Sequence, residues 1–81
     1  MSLPPNLNQE KLAEFAMALL GLTTFEDHGV FRAWKGLDWD LLDLLHQKGW
    51  IADPRGRAKS VVFTEEGADR ARRALERHFA V

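Results

Sequence analysis

Apolar side chains recur at helical spacing in three separate stretches of this chain, and a run that alternates instead lies before the last of them. Leu12, Phe15, Ala16, Leu19 and Leu20 fall on one side of a helix over residues 9–22. Asn8 is its natural N-cap, and Leu7 and Leu12 occupy staple positions. The back of the same helix holds Glu14, Met17, Ala18 and Gly21 and is only weakly polar. A helix that is apolar nearly all round is either buried between layers or carries a partner. Met17 and Ala18 are therefore candidates for a self-association surface, the other reading being a central helix covered by its own chain.

The second periodic stretch predicts a helix over 39–48, capped by Asp38, with Asp40 in its first turn and Lys48 in its last, both matched to the helix dipole. Leu41, Leu44 and Leu45 point inward at 100° steps, leaving Trp39, Asp40, Asp43, His46 and Gln47 outside. Gly49 fits the left-handed position after the helix, and Trp50 or Ile51 can fold back onto its end. Short runs at 50–52 and 60–64 flank the polar loop 53–59 and predict a hairpin, with Val61 and Phe63 on its inner face. Thr64 caps a last helix over 65–79, whose core stripe is Ala68, Ala71, Leu75 and Phe79. Residues 23–37, punctuated by Gly29 and Gly36, read as an irregular stretch with a short extended piece. Pro4 and Pro5 make residues 1–7 an extended arm ahead of a single domain over 8–81.

The predicted fold is mainly α with a small β-hairpin, and helix, glycine, hairpin, helix is the order of a winged-helix-like domain. Trp39 to Leu75 resembles the second half of bacterial winged-helix regulators, in which a Lys-Gly-aromatic step leads into a wing and then a Thr-x-x-Gly helix start. Ala18 to Gly67 is similar to a family of short bacterial proteins of unknown function, through Phe25-Glu26-Asp27, Arg32-Ala33-Trp34-Lys35-Gly36, Asp38-Trp39-Asp40 and Lys59-Ser60-Val61. That resemblance implies a winged-helix-like fold and no particular activity.

Composition narrows the functions. At 81 residues a single small core is the limit, which favours self-association. The chain has no cysteine, so thiol chemistry and thiolate metal sites are excluded and a reducing cytoplasm suits it. Its longest apolar run, Phe15 to Leu22, is far short of the roughly 20 residues of a membrane span. Net charge is −1, yet residues 1–53 carry 4 basic and 8 acidic side chains and residues 54–81 carry 7 and 4. Asp40 and Asp43 on the outward face of helix 39–48 oppose its use as a DNA-recognition helix. Arg55, Arg57 and Lys59 of the loop could contact phosphates, but three contacts give a salt slope of only roughly −2.7. The arginines of the last helix are accounted for by the i,i+4 pairs Glu66 with Arg70 and Asp69 with Arg73.

Catalytic and metal chemistry find little footing. Glu26-Asp27-His28 is the densest polar cluster, but adjacent residues seldom converge on one ion and no second histidine stands at ligand spacing. Trp34 and Trp50 read as core plugs, their indole N–H groups seeking backbone carbonyls. Trp39 points outward, where it can cover Arg32 or Lys35 or anchor a partner protein. The sequence thus predicts a cytoplasmic, non-enzymatic protein-interaction module without cofactor, acting as a homodimer, with Met17, Ala18, Trp39, Asp40 and Asp43 as its partner surface. The rival is a DNA-binding regulator that grips phosphates through Arg55, Arg57 and Lys59. A metal or ligand sensor at Glu26, Asp27 and His28 is a third, weaker reading.

Overall fold

The computed structural model describes residues 3–34, 36–56 and 58–81. Its elements follow in the order α1 (Gln9–Leu22), β1 (Phe25–Asp27), β2 (Val30–Trp34), α2 (Trp39–Gln47), β3 (Ser60–Val62) and α3 (Glu65–Phe79). Helices 9–22 and 65–79 coincide with the predicted spans, and the middle one ends a residue earlier, with Lys48 as its C-cap. Each begins where a side chain takes up an orphan N–H. Asn8 Oδ1 accepts from the Lys11 amide at 3.1 Å, Asp38 Oδ2 from Asp40 at 3.0 Å, and Thr64 Oγ1 from Gly67 at 3.0 Å.

Residues 23–37 hold more order than predicted. β1 and β2 form an antiparallel hairpin with Phe25 opposite Arg32 and Asp27 opposite Val30. His28 (φ 52°) and Gly29 (φ 84°) make its two-residue turn, where both positions need positive φ. β3 joins the other side of β2, Val61 facing Ala33, to give the sheet order β1-β2-β3. The predicted pairing of 50–52 with 60–64 is kept in shortened form. Ile51 bridges Phe63, the Ala52 amide donates to the Val62 carbonyl at 2.9 Å, and buried Pro54 has no N–H to carry the ladder on.

The end of α2 and the start of α3 are built as one joint. With Gly49 at φ 79°, its amide donates to the His46 carbonyl at 2.9 Å and the Trp50 amide to that of Leu45 at 3.1 Å, which turns Trp50 back into the core. Thr64 then donates its amide to the Trp50 carbonyl at 3.1 Å and its hydroxyl to the Gly49 carbonyl at 2.7 Å. Gly67 lies so close beneath this turn that a Cβ there would overlap the Trp50 carbonyl.

α1 runs antiparallel to α3, its Gly21 against Ala71 and Leu75 and its Phe15 beside His78 and Phe79. A Cβ on Gly21 would stand 3.1 Å from the Ala71 carbonyl oxygen, so small residues set this close approach. The consequence is a rotation of α1 relative to the sequence reading. Met17 (1% exposed) and Ala18 (0%) are buried, while Phe15, Leu19 and Leu22 are 40, 47 and 64% exposed. Met17 and Ala18 therefore belong to the chain's own core and are not a self-association surface. The alternative, a helix covered by its own chain, holds for that face. Leu42, which the wheel of α2 left unassigned, joins Met17, Leu45 and Ile51 as the largest fully buried side chains.

Candidate functional site

The loop after Ile51 is latched onto the outward face of α2. Asp53 Oδ1 accepts from the Arg55 amide at 2.9 Å, and the Arg55 guanidinium reaches back to Asp43 Oδ2 at 2.8 Å with the Trp39 ring 5.9 Å from its centre. Arg55 is thus a cation over the Trp39 ring. Arg32 donates instead to Ser60 Oγ at 2.9 Å, and Lys35 lies outside the described residues. Of the three basic loop residues, Arg55 is engaged by a carboxylate, Lys59 is exposed, and Arg57 lies outside the described residues. Asp40 is half-buried and lines a cleft of about 320 Å³ with Leu3, Leu7 and Leu41, where the N-terminal arm meets α2.

Glu26, Asp27 and His28 sit on the β1–β2 hairpin. His28 Nδ1 is 2.7 Å from Asp27 Oδ1 and its side chain stands almost wholly in solvent. Among the described residues no group of three or more His, Asp or Glu side chains is placed to hold a metal ion. His46 is tied locally, its Nδ1 3.0 Å from the Ile51 carbonyl oxygen. His78 lies against the Phe15 ring at 4.3 Å, with Nε2 3.1 Å from Glu14 Oε2, near enough for an ion pair but not aligned for a hydrogen bond.

On one side of the α1–α3 pair an open groove of about 590 Å³ is floored by Met17, Trp50 and Ala74 and walled by Glu14, Arg70 and Arg77. The Trp50 indole N–H donates to Glu66 Oε2 at 3.0 Å, where a backbone carbonyl was predicted, and the Arg70 guanidinium and Lys48 Nζ lie 4.7 and 5.3 Å from its ring centre. Much of the charge around the groove is compensated internally. Arg70 pairs with Glu66 at 3.2 Å, Arg77 with Glu14 at 3.2 Å and Lys48 with Glu10 at 2.7 Å. Both predicted i,i+4 pairs form, the second joining Asp69 to Arg73, and Arg72 adds Asp69 (3.0 Å) and Glu76 (3.3 Å).

Hydrogen bonds from Arg72 and then Arg73 hold the Asp69 carboxyl below its ordinary value of 3.8. A carboxylate depressed by folding contributes stability above its unfolded pKa and loses it as pH falls through the folded one. Asp69→Asn is accordingly expected to lower the melting temperature slightly at neutral pH and to leave it unchanged in strong acid, where wild-type Asp69 is protonated too. Thermal denaturation at the two pH values checks this.

Two apolar faces remain open. On the sheet, alternation sends Ala33 into the core and Val30, Arg32 and Trp34 outward. Trp34 is therefore 55% exposed and stacks against Phe25 (centroids 5.0 Å apart) instead of plugging the core as predicted. The helical face consists of Phe15, Leu19 and Leu22, extended onto α3 by Phe79, which is 51% exposed and 6.2 Å from Phe15. Periodicity placed Phe15 and Leu19 inside. The cue to the contrary was the small residues Ala18, Gly21, Ala71 and Ala74, which mark where the two helices meet. Among the described residues no helix is long and apolar enough to cross a membrane.

A family model described as "Domain of unknown function (DUF6429)" matches residues 8–81. An uncharacterized protein of Sinorhizobium fredii, y4hR, is 40% identical over 73 residues, covering 90% of this chain and 95% of that protein. No solved structure matches. The resemblance drawn from the sequence motifs, to short bacterial proteins of unknown function, agrees with both matches.

Proposed function

The chain belongs to the DUF6429 family of unknown function, and from the surfaces just described we propose that it is a non-enzymatic, cytoplasmic protein-interaction module that works as a homodimer. The observation that carries this reading is the helical face, where three large apolar side chains at positions i, i+4 and i+7 of α1 stand in solvent beside Phe79. A contiguous face of this kind on a small domain marks a site of protein contact. The charged side chains support the same reading, since most of those around Trp50 and along α3 are matched by partners within the chain. A cysteine-free composition suits the cytoplasm.

DNA binding through the loop has weaker support. Arg55 is held by Asp43, and Asp40 and Asp43 belong to the helix that would approach the bases. Sedimentation equilibrium tests the homodimer. The apparent mass is expected to rise from 9.2 kDa toward twice that value as concentration increases into the high micromolar range, and a strict monomer throughout would remove the reading.

A further inference from the structure

We infer that a second copy of this chain covers the plate made by Phe15, Leu19 and Leu22 of α1 with Leu75 and Phe79 of α3, so that two antiparallel α1/α3 pairs stack as a four-helix layer. The inference rests on the homodimer reading above and assigns the face that carries it. The plate is continuous across the two helices. Leu75 lies against the Gly21 end of α1, Phe79 follows it one turn later on the same side, and Phe79 meets Phe15 edge-on.

Three observations select a second copy as the occupant. The first is extent. Phe15, Leu19, Leu22 and Phe79 are 40, 47, 64 and 51% exposed and lie side by side on two packed helices, a contiguous apolar surface of the kind that protein contacts bury. The second is charge. Among the described groups flanking the plate, Arg72 is neutralised by Asp69 and Glu76 and Glu14 by Arg77. Lys11, one helical turn before Phe15, has no ion pair among the described residues, but a single cation is poor footing for a nucleic acid or an anionic lipid surface, and the natural complement is a nearly neutral apolar plate. The third is geometry. An isologous contact needs one self-complementary patch, and a two-helix plate stacked on its own copy gives the helix-on-helix layering of a four-helix bundle. The sheet's outer face meets these conditions less well, because Phe25 and Trp34 are already stacked on each other and Arg32 sits in the same row of the sheet as Phe25 and Val62.

Sedimentation equilibrium of the wild type, Leu19→Asp, Leu22→Gln and Trp34→Asp tests the assignment, with circular dichroism confirming that each variant is folded. Leu19 and Leu22 are exposed in the single chain, so both helical variants are expected to stay folded. Leu19→Asp is expected to weaken association by at least about a hundred-fold and Leu22→Gln by about ten-fold, while Trp34→Asp associates as the wild type does. If the wild type is a monomer, the homodimer reading fails and this inference with it. If the wild type dimerises but Leu19→Asp and Leu22→Gln dimerise equally well, or Trp34→Asp alone dissociates it, the homodimer stands and the plate is overturned as its interface. Should Leu19→Asp unfold, Leu22→Gln decides alone.

Discussion

Gly67→Ala is expected to lower the melting temperature by about 15 °C, the largest effect of any single methyl group in the protein. Alanine is normally the better helix former, by about 1 kcal/mol over glycine. Here the added Cβ meets backbone, the Trp50 carbonyl, and no rotamer can turn it away. Relief requires α3 to move from the end of α2, yet the same carbonyl accepts the Thr64 amide and Thr64 caps α3 through the Gly67 amide. Overpacking of about 3 kcal/mol net is therefore the scale of the loss. In a domain whose core supplies only about 3–5 kcal/mol, much of the population would unfold. A thermal melt followed by circular dichroism measures it, and an unchanged midpoint would mean that α2 and α3 are not joined in this way.

Met17→Ala is expected to cost about 2–4 kcal/mol of protomer stability and to leave the affinity between folded copies unaltered. Met17 is among the largest fully buried side chains and packs where α1, α3 and Trp50 meet. Truncating it opens a cavity among rigid neighbours. Were Met17 instead on an interface, its loss would weaken association and leave the single chain intact. Denaturant midpoints at several protein concentrations separate the two cases, because only a change in association makes the shift concentration-dependent.

The features legible from sequence are those that short-range chemistry decides. Asn8, Asp38 and Thr64 each satisfy an amide two or three residues away, so three helix starts followed from the residues themselves, and Gly49 marked the stop of α2 through its left-handed φ. The hairpin at residues 25–34 escaped because Asp-His-Gly-Val lacks the Asn-Gly or Asp-Gly pair that usually signals a two-residue turn. What was least legible was which face of a nearly uniform apolar helix would be covered. Periodicity alone cannot choose between Met17 and Leu19, which lie on nearly opposite faces of a helix apolar nearly all round. The choice is made by α3, fifty residues further along, whose Ala71 approaches Gly21.

The outward surface is legible residue by residue but not as an arrangement, for the same reason. Helical angles put Trp39 and Asp43 outward and composition puts Arg55 in a basic loop, but a partner role for the first two and a phosphate role for the third treat them as separate. Folding brings the loop over α2, where Arg55 meets both of the others. Trp34 was assigned to the core on general tryptophan behaviour, whereas the strand pairing makes Ala33 the inward residue and leaves the indole on the open side.

The most direct test of the central claim uses the absence of cysteine from the chain. Leu19 lies at the middle of the exposed α1 stripe, so a contact between two copies of the plate buries it. In a Leu19→Cys variant, mild oxidation at high micromolar concentration is expected to give a covalent dimer, while Gln47→Cys on α2, a control exposed away from the plate, stays monomeric. A Leu19→Cys chain that remains monomeric while Gln47→Cys cross-links would contradict the account.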